Sequence, residues 1–117
     1  MERQEYKAIS TLDLFKVSRT DKLDYDQYSD FVCAAESEDA ARLMCPEDTY
    51  EYGYIQMEAD EYGRTSIVDK RLEEWINTEY MIRQWTDNIK NLKVEHIGVA
   101  DSRFTEPCII VASFHAA

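Results

Sequence analysis

Glycine is scarce in this chain: it stands only at positions 53, 63 and 98. Neither a G-x-x-x-x-G-K-[ST] loop nor a G-x-G-x-x-G turn can be written from those positions, which excludes the common loops that bring backbone close to phosphate. Proline occurs twice, so no Pro/Gly-rich linker divides the 117 residues, and one domain spanning 1–117 is expected. Cys33, Cys45 and Cys108 make an odd count with no C-x-x-C, which argues against a disulfide framework. Each reads most simply as a small buried hydrophobe. His96 and His115 are the two histidines, and neither pairs closely with another ligand type, so no metal or other cofactor is expected. The acidic residues also lack the D-x-[DN]-x-[DN]-G order of a calcium loop. No apolar run approaches the roughly 20 residues of a membrane-spanning helix. The opening "MERQEYKAIS" is charged from its second residue and has no apolar signal core. A reducing cytoplasm is the expected location.

Positive charge is missing from the middle of the chain. Residues 30–62 hold one basic and ten acidic side chains, and so supply most of the net charge of −11. Within them "EDTYEYGYIQMEADE" gathers Glu47, Asp48, Glu51, Glu58, Asp60 and Glu61 around Tyr50, Tyr52 and Tyr54, with Tyr62 just beyond. Dense negative charge repels DNA and anionic membranes, so neither is an expected partner. It attracts basic surfaces over about a Debye length, ~8 Å in physiological salt. Tyrosine adds large contact area with few rotors and a polar tip, as interfaces favour. A solvated loop whose rings cover the edge of the core is the plainer account of the same residues.

Local patterns predict the elements. "TLDLFKVSR" (11–19) reads as a strand, with the adjacent Leu14 and Phe15 marking a bulge. "TDKLDYDQYSD" reads as a connecting loop, and "DFVCAA" (30–35) as a second strand closing an antiparallel hairpin. In "SEDAARLMCP", Ser37 is placed to cap a short helix. Glu38 and Asp39 favour the positive end of its dipole, and Pro46 stops it. "SIVDKRLEEWINTEYMIRQW" predicts a longer helix. Ser66 and Asp69 have capping-box spacing, and Val68, Leu72, Trp75, Ile76, Ile82, Trp85, Ile89 and Leu92 form a stripe. One helix and two shorter ones both fit, with Thr86–Asn88 capping the second piece. Trp75 and Trp85 read as core residues. "LKVEHIGVA" (92–100) and "CIIVASF" (108–114) are strands. Gly98 is a bulge candidate, and the second strand, apolar on both parities, is expected at the centre of a sheet. The resulting fold class is α+β: a four-stranded, mainly antiparallel sheet with two or three helices packed on it.

No catalytic residue is expected. A Cys108–His96 pair across neighbouring strands is conceivable, but any two strands offer such pairs, and a core Cys beside a half-exposed His is the better reading. Carboxylates are so abundant that no pair stands out, and a chain this small rarely builds a deep cleft.

Two segments, "FVCAAESEDAARLMCPE" and "WTDNIKNLKVEHIGVADSRFTEPCIIVASFHAA", resemble a pattern of small bacteriophage accessory proteins over roughly half the chain. In that pattern a strand runs into "AESEEEAR" and a short helix. A Trp then precedes a "V..IG.A" strand, and the chain closes on "ASF.A". The matching residues here are Ala35-Glu36-Ser37, Ala41-Arg42, Pro46, Trp85, Ile97-Gly98-Val99-Ala100 and Ala112-Ser113-Phe114. The resemblance implies a phage or prophage source and a place in the host-cell cytoplasm. Such proteins often act against host defence by binding, so a non-enzymatic, anti-CRISPR-like inhibitor of a basic host defence protein is the first expectation. Its contact residues are Glu47, Asp48, Tyr50, Glu51, Tyr52, Tyr54, Glu58, Asp60 and Glu61. A sponge for a cyclic-nucleotide or cyclic ADP-ribose signal, of the kind that counters Thoeris or CBASS immunity, is the second. It would use Arg64, Arg83, Arg103 and Tyr54 around phosphates and bases, at the subunit interface of a homo-oligomer.

Overall fold

A computed structural model describes residues 12–22, 27–46, 55–69, 74–75 and 85–115, with backbone alone at 55–56, 67–69 and 74–75. Strand β1 (Asp13–Arg19) pairs antiparallel with β2 (Gln27–Ala35) from Asp13↔Ala35 to Ser18↔Asp30, as the hairpin reading requires. The connecting loop is shorter than the sequence suggested, because Gln27 to Asp30 already belong to β2. Ser37 caps helix α1 (Glu38–Arg42), its hydroxyl accepting from the Ala40 N–H at 3.1 Å. Arg42 turns back onto Glu38 at 2.9 Å and Asp39 at 3.4 Å, so the basic last turn neutralises the acidic first one. Strands β3 (Ile55–Ala59), β4 (Thr65–Asp69) and β5 (Glu74–Trp75) follow. A 3-10 turn (Ile89–Asn91) then leads into β6 (Leu92–Val99), and β7 (Cys108–His115) comes last.

Four strands form one antiparallel sheet in the order β6-β1-β2-β7. Alternation along them separates two faces. Phe15, Val17, Phe31, Cys33, Ala35 and Leu92 are buried on one face, where Ala40, Ala41 and Met44 from α1 and its exit join them, together with Cys45, Met57 and Trp85. The Phe31 and Trp85 rings pack 5.3 Å apart at the centre. The other face carries a smaller cluster of Leu12, Ala34 and Ala100, backed by Leu14, Phe104 and Cys108. Trp85 is thus a core residue, as expected.

Three irregularities adjust the pairing, one of them at Ser29 of β2, which is passed over between Tyr28↔Phe114 and Asp30↔Ser113. Leu14 stands opposite Gly98 and Phe15 opposite His96, so Ile97 is the extra residue of β6, next to the glycine marked by the sequence. On the far side Val32 faces Val111 and Cys33 faces Ile109, which leaves Ile110 as the extra residue of β7.

The fold is mostly β, and two expectations are corrected. Among the described residues α1 is the single α-helix, and the helix expected from residue 66 onward is not formed where the chain is described. Ser66 and Asp69 lie within β4, opposite Glu58 and Ile55, and Trp75 lies in β5, so neither a capping box nor a shared Trp helix exists. "TSIV" is β-branched at three of its four residues, which favours a strand, and pairing with β3 outweighs a helical stripe read from a few positions. Residues 76–84, also read as helix, fall outside the described set. The capping reading of Thr86–Asn88 survives in smaller form, since the Asn88 side chain accepts from the Lys90 N–H at 2.8 Å and caps the 3-10 turn. The second correction concerns β7, which among the described strands lies at the edge and not at the centre.

The β3-β4-β5 sheet joins the rest through backbone. The Met57 N–H donates to the Leu43 carbonyl at 3.3 Å, and the Thr65 N–H to the Asp87 carbonyl at 3.0 Å. Arg64 and Asn88 form an isolated antiparallel bridge.

Candidate interaction surfaces

The β3–β4 hairpin turns on Asp60-Glu61-Tyr62-Gly63. The Gly63 N–H donates to the Asp60 carbonyl at 2.9 Å, and Gly63 has φ 87°, the left-handed conformation that closes such a turn. Asp60 Oδ1 accepts from the Tyr62 and Arg64 N–H groups at 2.9 and 3.0 Å, and Oδ2 from Arg64 Nε at 3.2 Å. Desolvation opposes ionisation, but these backbone donors and the guanidinium prevail and hold the carboxyl below its ordinary value. The turn is fastened from outside as well: the Ile89 N–H donates to the Gly63 carbonyl at 2.8 Å, and Asn88 Nδ2 to the Tyr62 carbonyl at 3.3 Å.

This hairpin holds every described member of the predicted acidic surface. Glu58 and Glu61 are exposed, while Asp60 is a turn residue with its oxygens already engaged. Tyr62, which sequence reasoning left out of the contact set, is 58% exposed with Arg64 over its ring at 5.4 Å. Its signal was the D-x-x-G spacing of a turn, which lifts the ring to the tip. Glu47, Asp48, Tyr50, Glu51, Tyr52 and Tyr54 lie outside the described residues.

The cationic set of the sponge reading is not assembled where it is described. Arg64 pairs with Asp60 on the β3–β4 tip, whereas Arg103 lies over the Phe104 ring at 5.1 Å in the β6–β7 connection. Arg83 and Tyr54 are outside the described residues. An open surface depression of about 340 Å³, lined by Arg42, Ile89, Lys90 and Leu92, lies where α1 meets the start of β6. Arg42 is already paired there with Glu38 and Asp39.

A second surface was not anticipated. Strand β7 is hydrogen-bonded to β2 on one side, and among the described residues its other side is an edge. Ile110, Val111 and Phe114 are 41%, 57% and 43% exposed along it. The opposite edge, β6, carries Lys93 and Glu95 3.5 Å apart, and His96 3.6 Å from Asp13.

The Cys108–His96 pairing fails on topology, since β1 and β2 separate the two edge strands that carry them. Burial, helped by Cys108 nearby, pushes the Cys33 thiol up to about 12, which leaves it un-ionised and unreactive at neutral pH. Among the described residues no group of three or more His, Cys, Asp or Glu side chains is placed to hold a metal ion, and no helix is long and apolar enough to cross a membrane. Comparison with family models, curated proteins and solved structures yields no match.

Proposed function

We propose that this protein is a non-catalytic binding module that docks on a basic protein surface through its acidic, tyrosine-bearing hairpin and the acidic segment before it. The observation that carries this reading is the β3–β4 tip: Glu58, Glu61 and Tyr62 stand exposed on a turn braced internally by Asp60 and externally by Asn88. A braced tip loses little conformational freedom on binding, which favours docking. The resemblance to small phage accessory proteins directs the proposal to a host defence protein as the partner. A nucleotide sponge has less support, because Arg64 already engages a carboxylate and a ring.

The test is capture from host lysate with immobilised protein, comparing the natural chain with one carrying Glu47→Lys, Asp48→Lys, Glu51→Lys and Glu58→Lys. The expected result is one host protein retained in low salt by the natural chain, released as salt rises and lost with the reversed chain. Equal capture by both chains refutes the acidic-docking reading. A small molecule released by heat from both chains replaces it with the sponge.

A further inference from the structure

We propose that β7 is a self-pairing edge, and that two copies of this chain join β7 to β7 in antiparallel register to make one continuous eight-stranded sheet. Three observations lead there. Among the described residues the strand is the outer rim of the four-stranded sheet, and it exposes Ile110, Val111 and Phe114, a row of apolar side chains. It lies in the longest stretch of sequence without an Asp, Glu, Lys or Arg, from Pro107 to Ala117, in a chain that is 32% charged. Its opposite number, β6, is bulged as β7 is and also exposes Ile97 and Val99, but it carries the charged side chains of Lys93 and Glu95, which guard an edge against pairing.

Charge selects the occupant. Two chains of net charge −11 repel one another over most of their surface, and the uncharged β7 rim is where that repulsion is weakest. A basic partner is drawn to the carboxylates and finds none on this strand. Antiparallel pairing of a strand with its own copy is a two-fold contact, which closes after two subunits. Eight residues run about 27 Å, enough for a contact on the order of 1,000 Å² in total, at the small end of specific interfaces. The proposal is independent of the acidic hairpin.

Size-exclusion chromatography with light scattering on the full chain tests it. The natural protein is expected at twice the mass of one chain, and Val111→Lys at the mass of one, with an unchanged circular dichroism spectrum because the side chain it replaces is already in solvent. Val99→Lys on β6 is expected to leave the pair intact. A natural protein that stays monomeric at its highest soluble concentration overturns the proposal, as does a Val111→Lys chain that still pairs. Loss of pairing in Val99→Lys, or growth into open-ended polymers, assigns the contact to β6 and overturns it equally.

Discussion

Gly63 shows how one residue shapes the acidic tip. A Cβ there would approach Asn88 Oδ1 to 2.5 Å, and the positive φ would strain any other side chain. Gly63→Ala is expected to cost about 1–2 kcal/mol in urea unfolding, more than a surface substitution elsewhere, and to loosen the tip from the 3-10 turn. Asp21 is a second single-residue case. Its carboxylate takes Nε and Nη2 of Arg19 at 2.7 and 3.0 Å and the Thr86 hydroxyl at 3.1 Å. Partial burial works against the charge, yet these partners outweigh it and the pKa falls below the ordinary value. A depressed folded pKa means stabilisation that is complete above the unfolded pKa of about 4 and is lost as pH drops through the folded one. Asp21→Asn should therefore be less stable by about 2 kcal/mol at neutral pH. Its stability should also fall less steeply in acid than that of the natural chain, as melting temperatures against pH would show. Neither role was legible in the sequence: Asp21 belongs to a loop rich in similar residues, and what distinguishes it is contact with Thr86, far along the chain.

At the scale of elements, signals confined to a few neighbouring residues were readable, and those that needed a partner were not. Ser37, the acidic pair after it and Pro46 specify α1 locally, and the helix forms with that cap. Ser37→Ala is expected to destabilise the protein by about 1 kcal/mol, measured by thermal melting, because the Ala40 N–H loses its acceptor. The alternation in β1 and β2 fixed their hairpin, and the glycine at 98 marked the bulge beside it. The stretch Thr65–Asp69 misled because its apolar spacing fits both periods. Pairing with β3, driven by the Asp60–Gly63 turn, decided for strand. Strand β7 misled differently: apolar residues on both parities usually mean two covering layers, yet here the edge places part of them in solvent. The acidic segment was legible as composition, and the described part of it proves to be a braced hairpin rather than a diffuse loop.

At the scale of the whole molecule, the main core is gathered on one side of the four-stranded sheet, and two of the three cysteine thiols lie in it. Cys33 and Cys45 are buried there, while Cys108 sits half-buried on the smaller cluster across the sheet. This distribution supplies a chemical clock. A thiol reagent in excess should modify Cys108 first and then stall, because the remaining two sites become reachable when the interior opens. Mass spectrometry over time would read one adduct early and two more together. The lag between them reports how often the native molecule breathes open, read by the protein's own thiols.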